Sequence, residues 1–490
     1  MTVAKDFGFD DVERDRKLGG QIALAFFVLG APASFLVGCL GDSYNRTYLF
    51  AWTVGIGEGA CLATFFCQTF KQLYICRAIT GFSIGGALPL IYSILGDMFV
   101  AEERHKVSAV VGIGTGAGIS LGQGVAGFLG PKFGWRLPFA VIGIPALICA
   151  ALVLLTVDDP ERGMMEEAVR EHNQGAHKRN DQQETSADSS MEMAPLDQNV
   201  DRLDGVALQT EGYVNMEESP NLNIRAQLAT FLSVLSTPTV ILTMLQGAPG
   251  CVPWSIVNTY LNDFLSQDRG MTVEYATFTV LIFGIGNFFG LLLAGLCGSR
   301  LYTLDKRYPS IFAGIMAIVG CFPFWALLNG IDNSTPFPVL ATVAILAGLS
   351  SAATGPIVKA TLQNVTLPNT RGQAFALFTT FDDFGRGLGP VFVAKLISSM
   401  GGRAPAFNIG VIGWMICGFF NLCMFFTVAR DERYVQATLT ARFARQQECN
   451  LQQEGVSIAE HDTAAGGIVG NITQGTSITR RSITSLNTQR

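Results

Sequence analysis

The chain is 490 residues long, 49% of them apolar and only 15% charged, with a net charge of −6. A soluble protein carries about 25% charged residues, and here the deficit sits in long charge-free windows, which excludes a soluble domain with one large core in favour of a chain built for a bilayer. The negative charge comes largely from the polar loops and says little about partners. The lipid bilayer is one expected partner; nucleic acid, a metal and a cofactor are not expected.

The opening residues, MTVAKDFGFDDVERDRK, are polar and mixed in sign, so they form neither a signal peptide nor an anchor. Eleven apolar windows follow, each long enough to span the hydrocarbon as a helix: 20–41, 48–70, 72–97, 107–130, 137–157, 238–261, 275–298, 309–330, 338–361, 373–398 and 405–429. Residues 158–225 are rich in Glu, Gln, Asn, Ser and Asp and poor in aromatics, the composition of a disordered cytoplasmic connector. After Arg430 the chain turns polar again. Its first stretch, ERYVQATLTARFARQQ, reads as one short surface helix, and the rest as a disordered tail. The expected plan is therefore an N-terminal bundle (1–157), a connector (158–225), a six-helix bundle (226–430) and a tail (431–490), all-α throughout. The eleven cysteines lie mostly inside apolar windows, with neither metal spacing nor a disulfide framework, and read as small packing residues.

The second group of windows repeats the first. A shift of 267 residues aligns Gly81 with Gly348, Pro89 with Pro356, Asp97 with Asn364, Arg104 with Arg371, Ala109 with Ala376, Gly118 with Gly385 and Gly122 with Gly389. A shift of 257 aligns Gly38 and Gly41 with Gly295 and Gly298. Membrane transporters are commonly built from two such halves with the substrate between them. The window at 238–261 has no partner in the first half, so the repeat expects one more helix ahead of residue 1, as in a shortened gene product. In the short loops, Arg46, Arg104, Lys106, Arg300, Lys306, Arg307 and Arg371 gather at one end, against Lys71, Lys132, Arg269 and Arg403 at the other. That bias assigns the first end, with the connector and tail, to the cytoplasm. The Asn333-Ser334-Thr335 sequon then faces outward.

"GCLGDSYNR" (Gly38–Arg46) closes the first window. Gly38 and Gly41 remove side chains, so a neighbouring helix can approach. Asp42 is placed to face the exposed N–H groups that start another helix, and Arg371–Gln373 in the other half is the candidate. Arg46 is placed to pair with Asp97. With Arg104, these residues form a candidate cytoplasmic gate; hydrated loop charges are the alternative. A charge at mid-membrane costs at least about 2.5–3.5 kcal/mol, so each needs a partner, a wet cavity or a proton. Arg77, matched in the repeat by Ala344, suits an anionic headgroup, with outward snorkelling as the alternative. In "TTFDDFGRGLGP" one carboxylate of Asp382 and Asp383 can be neutralised by Arg386 and the other can carry a coupling proton, unless the cluster is structural. Glu58 in "VGIGEGA" is a second coupling candidate, against a neutral packed carboxyl. Lys359 reads as snorkelling. Gly112, Gly116 and Gly124, beside Gly114, Gly118, Gly122 and Gly130, form two bare rows suited to close helix contact. In "LQGAPGCVPWSIVNTY", Gly and Pro interrupt a helix, which at membrane depth lines a cavity. Gln246, Trp254 and Asn258 are substrate-facing candidates there, simple kinking being the alternative. No catalytic residue is expected.

These motifs carry a resemblance. "GCLGDSYNR" resembles the cytoplasmic-loop signature of the major facilitator superfamily. "DFGFDDVERDRKLGGQIALAFFVLGAPASFLVG", "RAITGFSIGGALPLIYSILGDMF" and "GWRLPF" are similar to its spinster branch. The resemblance implies two pseudo-symmetric bundles of twelve helices in all, alternating access, and export of lysolipids or sphingolipid-type amphiphiles, often coupled to protons. Against it the chain starts inside the family's first outer loop. Ser43 stands where a basic residue is usual, and Ile84 where a glutamate is frequent. The function expected is transport of an amphipathic anion by a monomer, in the plasma membrane or an endolysosomal membrane. A carrier of small soluble solutes (sugars or organic anions) is the rival, and a non-transporting receptor or scaffold the rival of another class.

Overall fold

A computed structural model of the chain describes residues 2–10, 13, 17–18, 21–171 and 224–445, and among them there is no β-strand. The long helices are α1 (Ile22–Ser43), α2 (Arg46–Phe66), α3 (Phe70–Met98), α4 (Arg104–Phe133), α5 (Leu137–Thr156), α6 (Pro238–Gln267), α7 (Val273–Leu304), α8 (Tyr308–Asn329), α9 (Phe337–Asn364), α10 (Arg371–Met400) and α11 (Arg403–Phe426). Nine of them, α2 to α9 and α11, meet the length and apolarity of a membrane span among the described residues, against eleven expected. α10 misses it because Arg371, Asp382, Asp383, Arg386 and Lys395 leave no long charge-free stretch. Short helices cover Thr2–Asp6 and Ile224–Leu235, and another begins at residue 428.

Local chemistry sets the ends and breaks. Asn45 caps α2 by accepting the Tyr48 N–H at 2.9 Å. Thr69 and Gln72 form a reciprocal capping box on α3. Gly401, at φ +72°, ends α10 in a left-handed turn that a Cβ would strain. α6 widens over Ile256–Tyr260, directly after Pro253 and Pro249 have each removed a backbone donor. α9 breaks at Ala353, where Pro356 cannot donate to the Ala352 carbonyl. "GFSIG" (Gly81–Gly85) has the spacing of a serine nucleophile elbow, but it lies inside α3 with Ser83 buried, not on a strand-to-helix turn.

The duplication recurs as contacts. A Cβ on Gly81 would lie 2.2 Å from the Phe26 carbonyl oxygen, and one on Gly348 2.0 Å from that of Phe283. These positions are related by the same two shifts, 267 and 257, that align the sequence. So α1 crosses α3 as α7 crosses α9. The halves then meet reciprocally. Gly38 of α1 faces Ala376 of α10 with a would-be Cβ contact of 2.6 Å, and Gly295 of α7 faces Ala109 of α4 with one of 2.7 Å. Only glycine admits backbones this close. Outside, Leu121, Phe128, Leu155 and Phe426 are 70–80% exposed, a surface suited to hydrocarbon.

The segment expected to open a disordered connector is instead tied down. Residues 158–171 run beneath the arginine-rich ends of the helices, as the contacts below show. Residues 172–223 and 446–490, the rest of the expected connector and most of the tail, lie outside the described residues.

Candidate functional site

At the arginine-rich end the first contact is the cap formed by Asp42. Its carboxylate accepts the N–H groups of Gly372 at 2.8 Å and Gln373 at 3.0 Å, two of the free donors in the first turn of α10. Both partners need glycines. Gly38 presses on the Gly372 carbonyl, and a Cβ on Gly372 would come within 2.6 Å of the Asp42 carboxylate.

The arginines follow the repeat. Arg371 donates to Asp97 at 2.6 Å, and its counterpart Arg104 donates to Asn364, the counterpart of Asp97, at 2.8 Å. Each bond joins one half to the other. Within its own half, Arg104 also donates to the Gly96 carbonyl at 2.6 Å, and Arg371 to the equivalent Gln363 carbonyl at 3.2 Å. Arg46 pairs with Asp97 and reaches Asp159 at 2.9 Å and the Pro160 carbonyl at 2.6 Å. The side chains of Arg46, Asp97, Arg104 and Arg371 are all but fully buried.

Asp159, Glu166, Asn364 and Gln436 were not picked out in the sequence as members of this network, nor was the pairing role of Arg371. Glu166 receives both Arg104, at 2.6 Å, and Arg371. Burial alone would push its carboxyl up, but the two guanidiniums outweigh burial and hold it down at about 2. Its other oxygen accepts from Gln436 at 2.7 Å, in the helix that begins at residue 428. That helix is further fixed by Asp431, which accepts the Thr239 N–H at 2.9 Å, and by Glu432, which accepts from Tyr302 and from Lys306 at 2.9 Å.

Between the halves lies a cavity of about 500 Å³. Gln246, Trp254 and Asn258 of α6 line it, with Asp382 and Arg386 of α10. Gln246 is internally engaged: it donates to the Thr243 carbonyl at 3.0 Å and accepts from the Cys417 thiol at 3.0 Å. Trp254 meets Trp414 edge to face, with ring centres 6.0 Å apart. Arg386 reaches Asp382 at 3.4 Å, a long contact. Asp383 lines a small adjoining void with Tyr92, Thr379 and Lys359. Gly112 and Gly116 form part of the wall on the α4 side. Apart from Gly112, which faces Leu291, neither row makes the expected close contact: at Gly114, Gly116, Gly118, Gly124 and Gly130 no described atom lies within 4 Å of a would-be Cβ.

The structure places three further residues as follows. Arg77 is absent from the cavity lining. Its guanidinium donates to Thr64 at 2.8 Å and lies 4.7 Å from the centre of the Phe139 ring. Glu58 does not line the cavity either. The reason is topological: Glu58 sits on α2, which packs on α3 and α5, and Arg77 turns toward those helices. The cavity is built from α4 of the first half and α6, α7, α9, α10 and α11 of the second. Conversely, Lys359 is not a snorkelling residue; it lines the cavity.

A family model described as Major Facilitator Superfamily matches residues 1–390 and 252–447. The hexuronate transporter of Bacillus subtilis is 22% identical over 83% of this chain and 85% of its own length. Protein spinster of Drosophila melanogaster is 27% identical over 34% of this chain and 27% of its own length. The niacin transporter NiaP of Acinetobacter baylyi is likewise matched over only 34% of its length, at 27% identity over 31% of this chain. Among solved structures, the proton:xylose symporter XylE bound to 6-bromo-6-deoxy-D-glucose superimposes with a TM-score of 0.56, covering 87% of this chain and 92% of that one. At 17% identity that likeness shows the fold.

Proposed function

The chain belongs to the Major Facilitator Superfamily, and from that premise we propose that this multi-pass membrane protein transports an amphipathic anion, of lysolipid or sphingolipid type, by alternating access. One observation carries the reading: a cavity of about 500 Å³ lies between two halves that are bolted together at one end by Asp42–Gly372, Arg371–Asp97 and Arg104–Asn364. That is the arrangement of one of two alternating states, closed toward the arginine-rich side. A substrate that binds the two states unequally shifts their populations.

The cavity's walls suit a molecule with an apolar body. Ile119, Leu291, Val358, Phe378, Trp254 and Trp414 face it, with polar groups few and placed among them. Gln246, Trp254 and Asn258 are the proposed contacts. Asp382 and Asp383, sharing Arg386, are the proposed proton site, and Arg77 and Glu58 have no role in this reading. The spinster likeness supports a lipid substrate. A second reading, a small soluble carboxylate, is favoured by the hexuronate transporter, whose match covers 85% of that protein.

Lipids and metabolites compared between cells with and without the protein, followed by uptake into proteoliposomes, test both. A change in lysophospholipids or sphingoid lipids is expected. A change confined to small organic anions selects the second reading, and no change in either overturns transport.

A further inference from the structure

Lys359 is the charge in the cavity that nothing above employs. It lies on α9, five residues before that helix ends at Asn364, and so toward the sealed end. It lines both the large cavity and the small void beside it. Its ammonium nitrogen is 5.2 Å from the centre of the Tyr92 ring, and among the described residues it makes no ion pair. The cavity's other cation, Arg386, has a carboxylate of its own at Asp382 and another beside it in sequence at Asp383. Asp383 lines the same small void but forms no ion pair with Lys359 among the described residues, so the Tyr92 face is the contact that compensates the ammonium. Inside a membrane an ammonium needs a counter-ion, a wet cavity or such a face, and the face is the weakest of the three.

The surroundings define what would complete it. Val358 and Phe378 flank Lys359 with apolar surface, and Trp414, Leu291 and Ile119 continue that surface around the cavity. Building on the transport reading above, we infer that Lys359 binds the anionic head, carboxylate or phosphate, of the transported molecule, with the head toward the sealed end and the apolar body along these walls. The position also touches the seal. One turn further along α9, Gln363 donates to the Tyr92 carbonyl at 2.7 Å, and the Tyr92 ring stacks on Phe375 at 4.9 Å. An anion that draws the ammonium off Tyr92 therefore acts next to contacts that join the halves.

The test uses the full chain in proteoliposomes, as wild type, Lys359→Gln and Lys359→Arg. The probes are palmitate, palmitoyl-lysophosphatidate, palmitoyl-lysophosphatidylcholine, glucuronate and benzoate, with uptake and equilibrium binding measured for each. A thermal melt of each variant checks folding. Lys359→Gln should weaken binding and uptake of the anionic probes at least about tenfold. Lys359→Arg should keep most of both, and lysophosphatidylcholine should be little affected by either. Palmitate and lysophosphatidate, compared in the same preparation, tell which head is preferred. If the wild type moves glucuronate or benzoate and no amphiphile, and Lys359→Gln abolishes that, the lipid reading falls while the role of Lys359 stands. If a normally folded Lys359→Gln handles the anionic probes as the wild type does, or if the wild type binds no anionic probe, the inference is wrong.

Discussion

Arg104 and Arg371 hold equivalent places in the two halves and meet on a single carboxylate oxygen, that of Glu166. Their other bonds cross over: Arg371 goes to Asp97, and Arg104 to Asn364. The second half thus lacks one negative charge that the first half has, and Glu166, from a segment outside the repeat, supplies it. Glu166→Gln leaves two buried guanidiniums short of charge. Removing one member of a buried ion network costs about 3–5 kcal/mol. A cysteine placed at Ser34, which is buried between the halves and bonded to the Ala376 carbonyl, should become much more reactive to a soluble maleimide in the Glu166→Gln background. Unchanged labelling would sink the assignment of Glu166 as a bolt.

The crossed geometry makes a rescue possible. Asn364→Asp restores to the second half the carboxylate that Asp97 provides in the first, directly opposite Arg104. In Glu166→Gln it should recover a large part of the lost closure, whereas in the wild type it should change little or over-tighten the seal. A double-mutant cycle on maleimide labelling measures this, and coupling of about 1–3 kcal/mol is expected for groups sharing a partner. Strict additivity would mean that the two carboxylates do not act on the same arginine.

The network at the arginine-rich end was partly legible in the sequence. Asp42 and its glycines sit in a turn whose residue types serve little else, and the repeat places Arg371–Gln373 opposite. Glu166 was invisible because the rule that found the other residues was the repeat, and residues 158–171 have no copy in the second half. Their polar composition reads as disorder when the buried arginines that organise them are not in view. The direction in which Arg77 faces was illegible for a different reason. Depth in the membrane can be counted along a helix, but the direction a side chain faces depends on which helices flank it, and α3 turns Arg77 toward α2 and α5. Lys359 failed in the opposite sense: its depth near a helix end suggested lipid headgroups, while the break at Ala353 belongs to a helix that lines the cavity.

Glycines separate by the same logic. At Gly81 and Gly348 a Cβ would meet backbone carbonyls at 2.2 Å and 2.0 Å, so Gly81→Ala or Gly348→Ala must push two helices apart. Overpacking of this kind costs about 1–3 kcal/mol or more, and the two variants should behave alike because the contacts are copies. At Gly118 no described atom lies within 4 Å, so Gly118→Ala should be neutral or mildly stabilising through helix propensity, by up to about 1 kcal/mol. Melting temperatures in detergent distinguish these. Equal effects at Gly81 and Gly118 would show that the close crossing is not what holds α1 to α3.

Acid should leave the Glu166 contacts of the closed end intact down to about pH 4.5. Glu166 lies after α5, outside the spans. Burial pushes its carboxyl up and Arg104 and Arg371 more than reverse this, to about 2 from an ordinary 4.5. A carboxylate with a lowered folded pKa contributes its full stability above the unfolded value and loses it as pH falls toward the folded one, here from about 4.5 down to about 2. Nearby Glu432 is pushed up by burial, with Lys306 and Tyr302 offsetting only part of it. Its sign is opposite, since acid neutralises it and strengthens that corner. Labelling at Ser34→Cys should therefore rise below about pH 4, and Glu166→Gln should remove that low-pH rise from an already raised baseline; a change between about pH 7 and 5 would instead report Asp42, whose carboxyl burial pushes up to about 7. Acid dependence of transport between about pH 7 and 5 then has Asp42 at the closed end as one source, with Asp382 and Asp383 the proposed other. A wild-type labelling rise between about pH 7 and 5 that disappears in Glu166→Gln would place the titrating group at Glu166 and overturn its lowered position.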